Sequence, residues 1–307
     1  MSSLDFLVIG AQKAGTTSLA KYLSAHPEIF VPPAKELPFF NRSEFDPVCW
    51  PEYLTAHFSA ADPLSKKGTC TPHYMCDVGS AENIRSLLPD VKLIACLRDP
   101  IDRAISHHAM NRRRGTEDRN FAQAISMQME EGAVERARHM DVSPESVLHT
   151  YLAWSEYGRV LCEYQRLFGR SQILIVYFDD LSNRPEQVYG QILEFLGVDS
   201  EFRPENLGVK YHAGGTQQRF RLIKWLLRSR WVHGLGNLLP RRFRGRILFN
   251  IEVWNTRRGY ELPQLSDDQQ RALRDFFQPD IRIMEDAFDI RLPWRKRYLS
   301  TDSQPAP

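Results

Sequence analysis

A turn of small residues near the start of the chain has the composition of a phosphate-binding loop, but its lysine is displaced. The stretch FLVIGAQKAGTTSLAKYL, residues 6 to 23, runs from apolar residues through the turn into a helical pattern. Gly10 and Gly15 have the spacing of an ATP-binding loop, in which a lysine directly follows the second glycine. Here Thr16 follows it, and the lysine is Lys13, inside the turn. The spacing indicates a ligand whose phosphates are arranged differently from those of ATP.

The residues around Lys13 suit an anionic ligand. Glycine and alanine in the turn let the backbone approach a ligand closely, and the first turn of the following helix presents free N–H groups and hydroxyls. Such a helix start binds phosphate. The predicted binding residues are Lys13, Ala14, Gly15, Thr16, Thr17 and Ser18. The alternative interpretation is a turn whose small residues serve only packing.

A second stretch, CLRDPIDRAISHHAMNRRRG at 96 to 115, predicts another anion contact. Asp99 is placed to cap a helix, and Pro100 suits the first helical position, where no N–H is needed. Arg98 then lies at the carboxyl end of a strand, with Ser106 about two turns into the helix. A guanidinium with a nearby hydroxyl matches the requirements of a second phosphate. The alternative is a structural ion pair between Arg98 and Asp99.

Strands and helices alternate around these two stretches. The runs at 4–11, 91–97 and 172–178 are apolar without alternation, which is typical of strands buried on both faces of a parallel sheet. Helical patterns occupy 16–25, 80–88, 100–114, 119–131, 144–168 and 185–196. We therefore predict an α/β fold, a P-loop-like three-layer sandwich in which helices flank a mostly parallel sheet. Ligands bind such sheets at the carboxyl ends of the strands.

We predict one domain over 1–299 and a disordered tail at 300–307, although the length of 307 residues alone would also allow two smaller domains. Of the 307 residues, 42% are hydrophobic and 25% charged, which is enough apolar material for a sizeable core. Five cysteines without regular spacing suggest neither a disulfide framework nor a zinc site. The first strand leaves no room for a signal peptide, and no apolar run approaches the roughly 18 residues that span a bilayer. We predict a cytoplasmic protein.

The segment from 216 to 260 is strongly basic, with eleven lysines and arginines against the single acid Glu252. Tryptophans and leucines lie between its basic residues, so we predict amphipathic helices. The structural interpretation is a helical pair that covers the sheet and exposes an arginine face. The functional interpretations are a groove for an anionic substrate and a patch that contacts a membrane surface.

Four stretches resemble a known family. They are QKAGTTSL with HPEIF following, KELPFF at 35–40, TPHYM at 71–75 and LRDPIDRAISHH at 97–108. The sequence resembles the sulfotransferases that use 3′-phosphoadenosine 5′-phosphosulfate (PAPS), within them the branch of heparan sulfate sulfotransferases and bacterial relatives. The ending at 265–294 also resembles bacterial members. The resemblance covers about residues 4 to 295.

The resemblance implies roles for the residues that match the family's motifs. Lys13 and the residues from Gly15 to Ser18 match the loop that binds the 5′-phosphosulfate, with Ala14 between them. Arg98 and Ser106 match the 3′-phosphate site, and Lys210, in VKYHAGG, is a further candidate contact with that phosphate. The donor has no β/γ chain, so Lys13 belongs beside the bridging oxygen, where negative charge grows as the S–O bond breaks. No metal is implied.

The acceptor hydroxyl must lose its proton, so the site needs a general base. The resemblance implies Glu36, the glutamate of the KE-x-x-FF motif, although other sulfotransferases use histidine. His73 is the main alternative, followed by His107 and His108. Relatives often have Glu-Lys before the Thr-Pro, where this chain has Thr69 and Cys70, and this departure leaves the acceptor and the base open.

The predicted function is sulfuryl transfer from PAPS to an acceptor hydroxyl, with carbohydrate favoured. Alternatives are transfer to a lipid or small metabolite with His73 as base, an ATP-dependent kinase, and a nucleotide-binding protein without catalysis. Against the kinase, this chain has no lysine directly after Gly15 and no convincing magnesium-binding aspartate at the end of a strand. No nucleic-acid partner is predicted, and the sequence does not indicate an oligomeric state.

Overall fold

The computed structural model describes residues 4–41, 45–143, 145–209, 211, 216–218, 256–258, 263 and 265–299. A five-stranded parallel sheet forms its centre, in the order β2-β3-β1-β4-β5. The strands are β1 (Phe6–Gly10), β2 (Ile29–Phe30), β3 (Lys66–Cys70), β4 (Lys92–Leu97) and β5 (Ile173–Tyr177). The predicted α/β class with a parallel sheet is confirmed.

The middle of the sheet is apolar on both faces because helices cover both. Every residue of β1 is buried, and so are the residues of β4 after Lys92. The described helices begin with α1 (Thr16–Leu23), α2 (Trp50–Phe58), α3 (Gly79–Leu87), α4 (Pro100–Arg114), α5 (Phe121–Gln128) and α6 (Ala133–Arg138). They continue with α7 (Tyr157–Phe168), α8 (Phe178–Asn183), α9 (Pro185–Leu196), α10 (Asp267–Phe288) and α11 (Arg295–Leu299).

Strand β3, which sequence analysis missed, is short and polar. Its sequence is KKGTC, and Lys66 pairs with Ile29 while Gly68 pairs with Phe6. A side chain at Gly68 would come within 2.5 Å of the Phe6 ring and carbonyl, so only glycine fits against β1. The strand has no apolar pattern by which it could be recognised, because lysines, glycine and threonine occupy its first four positions.

The predicted helix at 144–168 is wrong in its first half. Two short 3-10 turns, Ser146–Leu148 and Ala153–Ser155, precede α7. The buried Arg103 donates to the Tyr151 carbonyl at 2.7 Å and to Ser155 Oγ at 2.6 Å. The contact with α4 takes up the Tyr151 carbonyl, which a continuous helix would use for a backbone hydrogen bond of its own.

Helix α10, which was not among the predicted helices, caps the start of α7. Asp280 accepts from the backbone N–H groups of Gly158 and Arg159, both at 2.8 Å. A side chain at Gly158 would lie 2.3 Å from the Asp280 carbonyl, so the two helices touch through their backbones. Burial raises the pKa of Asp280 to about 6.

The predicted basic helical segment at 216–260 is wrong at its two ends, which are strands. Strand β6 (Thr216–Gln218) pairs in antiparallel with β7 (Thr256–Arg258). Residues 219–255 and 259–260 lie outside the described residues, as do Lys210 and the tail at 300–307. All five cysteines have free thiols. Among the described helices, none combines the length and apolar content needed to cross a bilayer. The domain limits stay a prediction.

The raised pKa of Asp280 predicts a pH-dependent penalty on folding. In the unfolded chain the carboxyl ionises near pH 4, whereas in the fold it does so near pH 6, so the folded state binds more protons between these values. Relative to Asp280→Asn, the native protein should therefore lose about 2 to 3 kcal/mol of unfolding free energy between pH 4 and pH 7. Urea unfolding of both proteins across this range measures the difference, and a flat difference would contradict the assignment.

Candidate active site

The turn between β1 and α1 is held against β4 and the start of α8. The Ala11 N–H donates to the Cys96 carbonyl at 2.7 Å, and the Cys96 thiol donates to the Ala14 carbonyl at 2.9 Å. Gly15 has φ +86, and an added Cβ would lie 3.1 Å from the Phe178 ring. The left-handed backbone and the aromatic neighbour both require glycine here.

Helix α1 begins with its backbone N–H groups available to a ligand. No side chain caps it, and its first turn contains no acidic residue. Ser18 Oγ accepts from the Tyr211 N–H at 3.2 Å, which joins Tyr211 to this helix. The helix start thus combines free N–H donors with the positive end of the helix dipole, as an anion requires.

Lys13 lies inside the turn, where both its backbone conformation and its charge are unfavourable. Its φ is +77, a left-handed conformation that is unfavourable for lysine. Its pKa is lowered to about 7, first by burial and then by the charges of four arginines. In order of their effect, these are Arg113, Arg114, Arg98 and Arg103. A lysine in this position gains most when an anion binds beside it, because the anion offsets both the burial and the repulsion.

Arg98 lies where the sequence predicted, at the carboxyl end of β4. Its guanidinium lies over the Phe178 ring at 4.7 Å and donates to the Lys13 carbonyl at 3.4 Å. Arg98 is thereby tied to the same loop as Lys13. Ser106 is partly exposed on α4, two turns after Asp99.

Asp99 does not pair with Arg98, so the alternative of a structural ion pair is wrong. The carboxylate instead caps α4, accepting from the N–H groups of Ile101 at 2.9 Å and Asp102 at 3.1 Å. It also lies 2.9 Å from Arg297, and Tyr298 donates to it. Asp99 is thus paired with Arg297 and with the start of α4, whereas Arg98 faces the loop.

The segment after β2 that carries Lys35 and Glu36 is anchored along the end of β3. The Cys70 N–H donates to the Lys35 carbonyl at 3.1 Å, and the Leu37 N–H donates to Thr71 Oγ1 at 3.1 Å. Between these contacts Glu36 is exposed and forms an ion pair with Lys35. The backbone is fixed on both sides of the candidate base while its carboxylate faces solvent.

The phenylalanines of the same segment pack into an aromatic cluster. Phe39 packs on Tyr53 and Trp50 with ring centroids 4.7 and 5.1 Å apart, and Phe40 lies on Trp50 and Tyr74. The Tyr74 hydroxyl donates to the Leu37 carbonyl at 2.8 Å. An aromatic cluster therefore holds the apolar half of the motif and leaves Lys35 and Glu36 at the surface.

His73 follows β3 in the 3-10 turn Pro72–Cys76, and it contacts the loop between β1 and α1. Its Nε2 lies 2.9 Å from Gln12 Nε2, and its ring lies 6.0 Å from that of Trp154. Burial lowers the pKa of His73, Glu36 acts against this, and Lys35 and Arg114 add to it. The structure thus ties His73 to the loop that carries Lys13, and it brings the charge of Glu36 close enough to act on His73.

His107 and His108 are enclosed. His107 is fully buried, stacked on Trp154 at 5.3 Å, and its pKa is lowered well below the usual value, first by burial. His108 is also buried, and its Nε2 lies 3.0 Å from the Arg119 carbonyl. Neither ring is accessible to an acceptor, which leaves Glu36 and His73 as the candidate bases.

Sequence analysis missed several residues of the site. Gln12 contacts His73, and Phe178 supports both Gly15 and Arg98. The three further arginines around Lys13 all lie on α4. The arginine run at the end of α4 was a visible signal, because helices that end in cations beside a phosphate loop concentrate positive charge there. Phe178 had no such signal, since its role depends on where β5 ends.

The left-handed conformation of Lys13 predicts different stabilities for two substitutions. Lys13→Ala and Lys13→Gly both remove the buried amine, but only glycine also removes the backbone strain. We expect Lys13→Gly to be more stable than Lys13→Ala by about 1 kcal/mol. Urea unfolding of the ligand-free variants makes the comparison. Equal stabilities would indicate that the turn is unstrained.

Comparison with known proteins decides the family. Residues 3–210, more than half of the chain, match the family model described as "Sulfotransferase domain". The chain belongs to the sulfotransferase family. The family relationship agrees with the predicted motifs, all of which lie within the matched range except the resemblance at 265–294.

Relatives within the family include eukaryotic enzymes. The chain is 25% identical to "Membrane-associated sulfotransferase kil1" of Dictyostelium discoideum, over 78% of this chain and 66% of the relative. It is 25% identical to human "Heparan sulfate glucosamine 3-O-sulfotransferase 3B1", over 89% of this chain and 60% of the relative. The matched regions thus span less than two thirds of these relatives.

The fold is that of a bacterial sulfotransferase. The crystal structure of a sulfotransferase from Alicyclobacillus acidocaldarius superimposes with a TM-score of 0.66 at 23% identity, covering 95% of this chain and 98% of that chain. The P-loop-like sandwich predicted from the sequence is confirmed.

Proposed function

We propose that the chain transfers a sulfuryl group from PAPS to an acceptor hydroxyl. The observation that carries this proposal is a buried cationic loop next to a candidate base. Lys13 is buried among four arginines, its neighbour Gln12 contacts His73, and the charge of Glu36 acts on His73. Family membership supplies the reaction class.

The chain fits the donor at both of its anionic groups. Lys13 and the start of α1 would hold the 5′-phosphosulfate, where the N–H groups from Thr16 to Ser18 are not capped. Arg98 and Ser106 would hold the 3′-phosphate. Lys210 is a further expected contact outside the described residues, one residue before Tyr211, whose N–H reaches Ser18.

The reaction is an in-line displacement at sulfur. The acceptor oxygen forms a bond to sulfur while the bond from sulfur to the bridging phosphate oxygen breaks, and the bonding electron pair leaves with the phosphate. The acceptor proton passes to the Glu36 carboxylate. Lys13 stabilises the charge that develops on the leaving phosphate, which is where a fixed cation contributes most.

The favoured acceptor is a carbohydrate. Heparan sulfate glucosamine, in the names of relatives such as the human 3-O-sulfotransferase 3B1, supports this class. The basic segment at 216–260 suits an anionic acceptor or a membrane surface, and one relative's name describes it as membrane-associated. The alternative is a lipid or small-metabolite acceptor with His73 as base. A cytoplasmic location stays a prediction.

Donor binding should depend on Arg98 and not on magnesium. We expect 3′-phosphoadenosine 5′-phosphate to bind the full chain with micromolar affinity in EDTA, and Arg98→Ala to weaken this by at least roughly 10-fold, because charged hydrogen bonds to phosphate are lost. Isothermal titration calorimetry measures both. Magnesium-dependent binding of ATP, without a response to the bisphosphate, would contradict the donor and favour the kinase.

The same titration also tests whether the phosphate binds beside Lys13, through the protons taken up on binding. A phosphate beside Lys13 raises its pKa from about 7, so binding should take up protons near and above pH 7 and weaken as the pH rises. Titrations in buffers of different ionisation enthalpy count those protons. The uptake should disappear in Lys13→Met, which has a similar length without the amine.

The base is assigned by comparing two variants of similar shape. We expect Glu36→Gln to lower kcat by roughly 10² to 10⁴-fold while leaving bisphosphate affinity unchanged, because only proton removal is lost. His73→Gln should have the smaller effect. Transfer of ³⁵S-sulfate from labelled PAPS to a panel of oligosaccharides, lipids and small alcohols measures the rates. Full activity of Glu36→Gln with an inactive His73→Gln would assign the base to His73.

A further inference from the structure

Gln12 connects the anion-binding loop to the candidate base region. It directly precedes Lys13, and its Nε2 lies 2.9 Å from His73 Nε2. An amide nitrogen has only hydrogens to offer, so the ring nitrogen that faces it must accept. A histidine Nε2 that accepts carries no proton, and the proton of the neutral ring is then on Nδ1.

The groups that face His73 also keep it neutral. Lys35 and Glu36 approach from the segment after β2, Arg114 and His107 from α4, and the Trp154 ring from the turn before α7. Glu36 is the acid of this set, and it forms an ion pair with Lys35. Burial is the main cause of the lowered pKa of His73, and Lys35 and Arg114 add to it against the effect of Glu36, so the surroundings as a whole disfavour a charged imidazole.

The orientation of the Gln12 amide is the one that leaves fewer polar groups unsatisfied. Gln12 Oε1 is enclosed and has no hydrogen-bond partner within the part of the chain that the structure describes. Turning the amide over would put an NH₂ group there, leaving two donors unpaired instead of one acceptor. Each unpaired buried group has a desolvation cost, so the nitrogen belongs on the His73 side.

We propose that Gln12 is a positioning residue that holds His73 as a neutral imidazole with its proton on Nδ1. His73 then meets the acceptor as a hydrogen-bond donor and leaves proton abstraction to Glu36. His73 is partly exposed, and its Nδ1 makes no hydrogen bond to another described residue, so the donor is available. The role in the reaction rests on the proposed sulfotransferase function, whereas the protonation state of His73 does not.

Nitrogen NMR of the ligand-free full chain tests the protonation state. Histidine labelled with ¹⁵N in the ring gives separate shifts for protonated and unprotonated nitrogens, and the His73 signals are those missing from His73→Gln. We expect an unprotonated Nε2 and a protonated Nδ1 near pH 7. A protonated Nε2 in the native protein would overturn the proposal.

Gln12→Glu is the matched variant, because glutamate has the same shape but only acceptor oxygens. If the Gln12 nitrogen faces the ring, this substitution should move the proton to Nε2 and raise the pH at which His73 becomes charged. If the Gln12 oxygen already faces the ring, Nε2 is protonated in both proteins, and the proposal fails. Unchanged dispersion of the other histidine signals shows that the variant is folded.

The role in the reaction is tested with Gln12→Met, which keeps the length of the side chain without its hydrogen bond or an added charge. We expect kcat to fall by roughly 10-fold through misplacement of His73, with bisphosphate affinity kept within about threefold and an altered pH profile of kcat. An unchanged kcat and pH profile in a variant whose His73 protons have moved would refute this role. Absence of sulfuryl transfer in the native protein would reject the proposed function and leave the NMR result intact.

Discussion

Mutual repulsion of the cations around Lys13 is the constraint on which the rest of the site depends. Burial and four arginines lower the pKa of this lysine to about 7, so the ligand-free loop is electrostatically unfavourable. Most of these arginines come from α4, whose position is set by the Asp99 cap and by the contacts of Arg103 with the turns before α7. The fold therefore holds a buried lysine close to like charges, an arrangement that favours an anion beside it.

The order of the strands separates the two halves of the chemistry. Relative to β1, the strand β4 lies on one side and β3 with β2 on the other. Arg98 follows β4, whereas Glu36 and His73 follow β2 and β3. Because all five strands are parallel, their carboxyl ends share one edge, and the two halves meet above β1. The two halves are in direct contact, because Gln12 in the loop after β1 lies 2.9 Å from His73 after β3.

The fold and the positions of the loop residues and Arg98 were predictable because their signals are local. Lys13 and Gly15 lie within one turn, and Arg98 and the Asp99 cap lie within one strand end and helix start. Glu36 and His73 were both named as candidate bases, but their proximity was not predicted, because they are 37 positions apart and are brought together by β3, a strand whose polar sequence hides it. The start of α7 was also not predictable from a local pattern, because the contacts of Arg103 and Asp280, which come from other helices, fix it.

Glu36 and His73 differ in the freedom that their surroundings leave them. Glu36 is exposed, on a backbone fixed from both sides by β3 and the turn after it, so its carboxylate can meet an acceptor without rearrangement of the chain. His73 is held at one ring nitrogen by Gln12 and packed near Trp154. A base must accept a proton and later release it, which an exposed carboxylate does readily. In the proposed reaction, a ring whose accepting nitrogen is occupied is better suited to orienting the acceptor than to removing its proton.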